Sequence, residues 1–184
     1  PNFTFSCSEK YDGIVSIGSL TKKTNFASGK TFRIESILNI NGFDLERCLL
    51  FLCKYKLINQ GLCGRHHDLA FMDFGLDGRA GISLFDATPR SLPYVLELVE
   101  RHPEGSQAFI PMTQNPFLVI VAPDESGTPG RPLAFRTGAG QGINFHRNVW
   151  HGVLTPLFAP GLFAVVDRIG KSANLEEYWY EIPF

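Results

Sequence analysis

The chain has 184 residues, the size of one ordinary domain, which is large enough to bury a core without disulfide bonds. Lys and Arg number 17 against 18 Asp and Glu, and this balance excludes a broad charged surface for nucleic acid or for an anionic membrane. The 16 Phe, 18 Gly and 12 Pro residues favour strands joined by tight turns over a helical bundle.

The first 57 residues differ in composition from the rest. They are rich in Ser, Lys, Thr and Asn, contain every cysteine but one and contain no histidine. We therefore place a boundary near Leu57, between a divergent N-terminal segment (1–57) and a domain that spans 58–184. In that segment FRIESILNI alternates loosely like a strand, whereas FDLERCLLFLCKYKL reads equally well as a short helix, because periodicity does not decide runs so short.

The chain contains four cysteines, Cys7, Cys48, Cys53 and Cys63. They show no paired C-x-x-C spacing, which argues against a zinc ribbon. We expect reduced, partly buried thiols, as in an intracellular protein. No stretch resembles a secretory signal, and the dense apolar run from Cys48 to Leu52 is too short to span a bilayer. These features predict a cytoplasmic protein that does not associate with membranes.

From Ile58 onwards, short segments rich in Phe, Val, Ile and Leu alternate with turn signals, as in a sandwich or barrel. The predicted strands are DLAFMDFGL, GISLFDA, YVLELVERH, QAFIPM, PFLVIVA, LAFRT, GINFHR and GLFAVVDRI. No convincing ten-residue amphipathic helix separates them, so we expect antiparallel pairing, with at most a few short helices. About eight such strands close most economically into a jelly roll or barrel. The predicted fold class is all-β.

All five histidines lie in this β-rich region, and three of them adjoin an arginine; they are His66, His67, His102, His146 and His151. Strand alternation places Glu100 and His102 on one face of LELVERH. If HRNVWH is a regular strand, Arg147 and His151 share a face as well. A surface-facing pair on an edge strand and ordinary core and surface alternation are the alternatives.

Read together, Glu100-x-His102-x4-Gln107 and the distant His151 resemble the cupin pattern. Cupins carry H-x-H, then a Glu, then a distant His, all facing the barrel interior, where they commonly hold a divalent metal. Here Glu100 replaces the first His and Gln107 replaces the Glu. Gln107 has the wrong parity to face His102 unless the turn at Pro103-Glu104-Gly105 resets it. Imidazole and carboxylate suit Ni, Mn or Zn, whereas an amide oxygen is a weaker ligand. The predicted metal set is Glu100, His102, Gln107 and His151, with no organic cofactor.

Whole segments resemble the ureidoglycolate lyase family, once called ureidoglycolate hydrolases. The matching blocks run in the family's order and are GRHHDLA after INQG, LVERHPEGSQAFIPM, GINFHRNVWH and AVVDRIG. The resemblance covers residues from Ile58 to about Gly170, and residues 1–57 do not align with the family's N-terminal strands. It implies a cupin-type double-stranded β-helix that forms a homodimer. It also implies cleavage of (S)-ureidoglycolate to glyoxylate and urea in allantoin and purine catabolism.

Cleavage of this substrate requires a general base for its hydroxyl and a general acid for the departing nitrogen. We assign these roles to His102, His151 and Glu100 without deciding which residue is the acid. A metal or an arginine would hold the substrate, and Arg147 is the first candidate and Arg65 the second. Gln107 and Asn148 are candidates to bind the urea group, although Asn148 is equally suited to local turn bonding. His67 and Asp68 are expected to border the pocket.

Three other functions remain open. A non-catalytic cupin would keep the fold and bind a small carboxylate or a sugar-like ligand. A metal-dependent cupin isomerase or dioxygenase is disfavoured, because Glu100 and Gln107 stand where the usual pattern has His and Glu. An amidohydrolase that releases ammonia would need a dinuclear metal cluster with more His and carboxylate ligands than the chain offers.

Overall fold

The computed structural model describes residues 56–184 and the backbone of two short strands, Ile14–Ile17 and Ile34–Glu35. The predicted helix FDLERCLLFLCKYKL lies almost entirely outside the described residues, as do three of the four cysteines. Cys63 is exposed and free. None of the helices among the described residues is long and apolar enough to cross a membrane.

Strands dominate the described residues, and their only helix is one 3-10 turn, Asn59–Gly61. The all-β prediction is confirmed. In chain order the strands are β1 (Ile14–Ile17), β2 (Ile34–Glu35), β3 (Lys56–Ile58), β4 (Cys63–Arg65), β5 (Arg79–Asp86), β6 (Leu98–Arg101), β7 (Gln107–Pro111), β8 (Phe117–Ala122), β9 (Asp124–Glu125), β10 (Thr128–Pro129), β11 (Leu133–Arg136), β12 (Gly142–Phe145), β13 (Trp150–His151), β14 (Thr155–Pro156), β15 (Leu162–Ile169) and β16 (Glu176–Trp179).

The strands form two large sheets and two small hairpins. The first sheet has the order β1-β12-β7-β15-β5, and the second has the order β16-β6-β13-β8-β11-β2, with β14 also paired to β8. β3 pairs with β4 and β9 pairs with β10. Every pairing within the described residues is antiparallel except that of β11 with β2. The order is that of interleaved hairpins, which agrees with the predicted cupin-type jelly roll.

The two large sheets pack face to face across one apolar core. From the first sheet, β7, β12 and β15 contribute alternate residues, and β8 and β11 do so from the second. The rings of Phe117 and Phe163 meet edge to face across this interface, with their centroids 5.0 Å apart. The members of this core are Phe109, Phe117, Val119, Val121, Phe135, Ile143, Phe145, Phe163 and Val165.

A second apolar cluster covers the other face of the second sheet. Its members are Leu96, Val99, Ile120, Ala122, Ala134 and Trp150. β8 therefore contacts apolar side chains on both faces, and all of its residues are buried. This explains why PFLVIVA is a continuous apolar run and does not alternate.

One strand prediction is wrong, and the regular strand considered for HRNVWH does not form. DLAFMDFGL contains no strand. Its backbone N–H and carbonyl groups form hydrogen bonds with side chains of other segments and not with a neighbouring strand. Asp73 N–H donates to Ser106 Oγ at 2.8 Å, and the carbonyl of Phe71 accepts from Asn144 Nδ2 at 2.8 Å. HRNVWH is not one regular strand either, because Asn148 adopts a positive φ of 64° in a turn that separates β12 from β13. The other seven predicted segments each contain a strand.

Candidate functional site

A group of polar side chains lies inside the barrel at one end of the apolar core. We call Glu100, His102, Gln107, His151 and Asp167 the polar cluster. Glu100 is on β6, His151 ends β13, and the two are directly opposite each other in the second sheet. Gln107 begins β7 and lies opposite Asp167 of β15 in the first sheet. Because opposite residues project from the same face of a sheet, each pair converges on the interior.

The turn after β6 brings His102, which follows the second sheet's β6, into contact with Gln107 of the first sheet. Gln107 Oε1 lies 3.1 Å from His102 Nε2, so the turn at Pro103-Glu104-Gly105 resets the parity as predicted. A Cβ on Gly105 would lie 3.0 Å from the carbonyl oxygen of Asp73 and 2.7 Å from Cβ of Arg168. The close approach at this turn therefore requires glycine.

Each of the two imidazoles is held by a hydrogen bond between its Nδ1 and a backbone carbonyl. His102 Nδ1 donates to the carbonyl of Asn174 at 2.6 Å, and His151 Nδ1 donates to the carbonyl of Val149 at 2.9 Å. Because a carbonyl only accepts, each Nδ1 carries a proton, and each Nε2 is directed into the cluster. The ring of Phe145 stacks on that of His151, with centroids 4.0 Å apart and 13° between the planes. Position and tautomer of both rings are thus fixed by backbone and packing.

The charges in the cluster are coupled. Burial lowers the pKa of His102 below 6.5, and the charge of His151 lowers it further against the opposing effects of Asn174, Glu100 and Gln107. Burial raises the pKa of Glu100, but contact with His151 and the charge of His102 outweigh it and leave the pKa below 4.5. His151 Nε2 is 3.6 Å from Glu100 Oε1, too far for a hydrogen bond. At neutral pH the cluster holds a carboxylate beside a neutral His102.

Three side chains of the cluster fit a divalent cation. Ligand atoms of Glu100, His102 and His151 all lie within 4.8 Å of one another. His151 is 1% exposed, and its Nε2 is buried without a hydrogen-bond partner among the described residues. Metal-bound imidazoles usually donate their other nitrogen to a carbonyl or carboxylate, and both rings do so here. The donor set of two nitrogens and one carboxylate suits nickel, zinc or manganese.

The remaining predicted site residues lie apart from these contacts. Arg147 forms a bidentate pair with Asp73, with two hydrogen bonds of 2.9 Å, and this pair lowers the pKa of Asp73 below 3.8. Arg65 contacts His67 at 2.8 Å on an exposed part of the chain. Asp68 and Asn148 both adopt positive φ, and the backbone N–H of Asn148 donates to the carbonyl of His102.

Two residues of the site were not predicted. The alternation of GLFAVVDRI places Asp167 on the same strand face as Phe163 and Val165, so the sequence contained a signal for it. No local pattern identifies Asn174, because it acts on His102 from 72 residues away. Its carbonyl accepts from His102, while its side-chain Oδ1 accepts from the backbone N–H of Glu104 at 2.7 Å.

Two surface grooves flank the segment before β6, and neither is lined by the polar cluster. One is lined by residues that include Arg90, Tyr94 and Glu97, and the other by residues that include Arg90, Arg136 and Phe158. They contain no group of His, Cys, Asp or Glu arranged for a metal, whereas the polar cluster does. Among the described residues, the polar cluster is therefore the better candidate site.

Comparison with known proteins gives a consistent result. A family model for ureidoglycolate lyase matches residues 18–184, so the match begins well before the boundary that we place near Leu57. A ureidoglycolate lyase of Rhodobacter capsulatus is 65% identical over 128 residues, which are 70% of this chain and 80% of that protein. Ureidoglycolate lyase 2 of Rhizobium meliloti is 56% identical over 69% of this chain and 78% of its own. One from a Chelativorans species is 52% identical over the same shares. The chain belongs to the ureidoglycolate lyase family.

Proposed function

We propose that this chain is a ureidoglycolate lyase that releases glyoxylate and urea at the polar cluster. The observation that supports this location is that ligand atoms of His102, His151 and Glu100 all lie within 4.8 Å of one another. Both Nε2 atoms are free to accept or donate a proton, because each Nδ1 is committed to a backbone carbonyl. The family match and the names of the relatives support the activity.

The reaction needs two proton transfers. One carbon of ureidoglycolate bears a hydroxyl, a carboxylate and a ureido nitrogen. A base removes the hydroxyl proton, the oxygen's electron pair forms the carbonyl of glyoxylate, and the carbon–nitrogen bond breaks. An acid then supplies a proton to the departing nitrogen, which completes urea. The balance is one proton removed and one returned, so no oxidant, reductant or added water is required.

The polar cluster supplies groups for both transfers. We assign the base and acid roles to His102 and His151, whose rings lie 5.3 Å apart between centroids, close enough to act on two atoms of one small substrate. Burial lowers the pKa of His102 and so favours the neutral ring, as a base requires; in that ring Nε2 carries no proton and makes no hydrogen bond with Gln107 Oε1 at 3.1 Å. The Glu100 carboxylate lies 3.6 Å from His151 Nε2, and we assign the acid role to His151 from this position.

A divalent cation fits the same three side chains. Glu100, His102 and His151 would hold it, with Gln107 as a weaker fourth ligand, and its charge would polarise the hydroxyl and carboxylate oxygens of the substrate. We propose nickel, manganese or zinc. An Nε2 atom that ligates a cation has no lone pair left for a proton, so the cation and the proton transfers by His102 and His151 are alternative roles for these atoms, and chelation decides between them.

The outer predicted residues remain weaker proposals. Arg147 is 38% exposed and paired with Asp73, so a substrate carboxylate would compete with Asp73 for its guanidinium. Arg65, His67, Asp68 and Asn148 are exposed and border the site only if the substrate extends beyond the polar cluster.

We also propose the cytoplasmic location and the homodimer that the resemblance implies. The outer face of the first sheet supports a dimer, because Ile82 and Leu84 on β5 and Ile110 on β7 are 78%, 67% and 41% exposed on the two sides of β15. Light scattering after gel filtration should give twice the 20.5 kDa of one chain. A mass of one chain at micromolar concentration would contradict the dimer.

The test of the function is to follow glyoxylate, urea and ammonia separately while the purified protein acts on racemic ureidoglycolate. Equimolar glyoxylate and urea without ammonia are expected, and half of the racemate should remain if one stereoisomer is accepted. Ammonia would indicate an amidohydrolase. No turnover by the folded protein would favour the non-catalytic cupin. Loss of turnover in EDTA that nickel or manganese restores would establish the metal.

A further inference from the structure

One ionisable group of the polar cluster has no part in the proton transfers. Asp167 projects from β15 on the face that Phe163 and Val165 direct into the core. Gln107 Nε2 donates to its Oδ2 at 3.4 Å, while its Oδ1 is buried without a hydrogen-bond partner among the described residues. One oxygen of this carboxylate is therefore unpaired among the described residues.

No cation neutralises Asp167 within the described residues. The neighbouring Arg168 projects from the opposite face of β15 and pairs with Glu104 at 3.0 Å. The two other arginines that form ion pairs, Arg101 and Arg147, bind carboxylates outside the polar cluster. A buried carboxylate oxygen without a donor costs free energy, and the cost is larger for a charged group than for a neutral one. Such an oxygen is best explained by a donor that arrives with the ligand.

The ureido group offers donors in the required arrangement. A urea presents one N–H from each of its two nitrogens in parallel, on the side away from its carbonyl. Two parallel N–H groups match the two oxygens of a carboxylate, as in an arginine–carboxylate pair. The other end of ureidoglycolate is itself a carboxylate, which Asp167 repels. The charge and the hydrogen-bonding pattern therefore select the same orientation of the substrate.

We propose that Asp167, oriented by Gln107, binds the ureido N–H groups and so determines specificity for the urea end of the substrate. This inference rests on the proposed function. It places the carbon–nitrogen bond between Asp167 and the two imidazoles, with the hydroxyl-bearing carbon towards His102 and His151. Gln107 joins the two parts, since its amide contacts both His102 and Asp167.

The test compares product inhibition in Asp167→Asn, Asp167→Ala and wild type. The asparagine variant keeps the shape of the side chain but replaces one acceptor oxygen with a donor, so it cannot accept both N–H groups. Inhibition by urea should weaken by at least about tenfold in both variants, as expected for lost hydrogen bonds to a charged group. Inhibition by glyoxylate should change by less than about twofold, because glyoxylate lacks the ureido group. Asp86→Asn, at the other end of the first sheet on β5, is the matched control and should leave both unchanged.

Three outcomes overturn parts of this account. Equal weakening of inhibition by urea and by glyoxylate would give Asp167 a merely structural role. Unchanged inhibition by urea, in variants of a wild type that releases urea normally, would refute the inference alone. A folded wild type that produces no glyoxylate would refute the proposed function, and the inference with it.

Discussion

The two ends of the barrel interior are built on the same strands but from opposite chemistry. At one end Phe117 and Phe163 meet edge to face, and at the other Gln107 contacts both Asp167 and His102. Within the single strand β15, the residues on one face change from Phe163 and Val165 at the apolar end to Asp167 at the polar end. Alternation places all three inside, and only the residue types differ. The apolar end provides the burial that stabilises the fold, so the polar end can keep atoms without internal partners.

A second comparison separates the polar groups inside the barrel from those outside it. Outside, Arg147 pairs with Asp73, and Arg168 bonds to Glu104, Ser172 and the carbonyl of Phe74. Inside, His151 Nε2 and Asp167 Oδ1 have no hydrogen-bond partner within the described part of the chain, whereas Arg168 leaves only its Nη1 unpaired. The outer groups hold loops in place, and the inner groups are available to a substrate.

The largest effect is expected from the polar end. Replacing His151 with Asn removes a nitrogen that exchanges protons while leaving a polar side chain, and turnover should fall by about 10²–10⁴-fold. The steady-state rate and the circular dichroism spectrum would be measured together. His66→Asn, at an exposed histidine outside the barrel, is the matched control. Near-normal turnover in the His151 variant would contradict the role given to this residue.

The apolar end should respond in stability and not in chemistry. Phe117→Ala removes a ring that is 2% exposed and should lower the free energy of unfolding by about 3–5 kcal/mol. Below the unfolding temperature, its turnover should stay within a few-fold of wild type. Phe158→Ala, at a ring that is 51% exposed, should change stability by less than about 0.5 kcal/mol. A Phe117 variant with normal stability and lost activity would remove the distinction between the two ends.

An intermediate effect is expected from Asn174, which positions His102 without contacting the substrate. Asn174→Ala frees the segment whose carbonyl holds His102 Nδ1, and kcat should fall by about tenfold with little change in KM. Asn174→Asp keeps an oxygen that accepts from Glu104 N–H and should recover most of the loss. Asn115→Ala, in a loop at the other end of β7, is the control. A raised KM with normal kcat would instead place Asn174 in substrate binding.

The smallest effect concerns pH. Burial lowers the pKa of His146 below 6.5, against the opposing charge of Asp73, so the unfolded chain binds a proton more readily than the folded one. Its contribution to stability is therefore present above pH 6.5 and is lost as the pH falls towards the folded pKa. His102 shifts in the same direction, so in His146→Gln the slope of unfolding free energy between pH 7 and 5 should decrease without vanishing. Identical slopes in urea titrations of both proteins would contradict this assignment.

The sequence predicted those parts of the structure that depend on alternation along one strand. The shared face of Glu100 and His102 and the reset at Gln107 followed from parity and from turn residues. It failed where distant chain segments decide. Asp73 and Arg147 are 74 residues apart, so no local pattern predicts their pairing, and the substrate role of Arg147 stays a prediction. DLAFMDFGL has the composition of a strand, yet the side chains of Ser106 and Asn144 bond its backbone.

The most direct test of the central claim is a crystal structure of the protein with glyoxylate. We predict glyoxylate inside the barrel, with oxygen atoms within hydrogen-bonding distance of the Nε2 atoms of His102 and His151, or on a cation that these residues share with Glu100. The side of glyoxylate from which urea departs should face Asp167. Glyoxylate bound instead in a surface groove beside Arg90, with the polar cluster unchanged, would contradict the account.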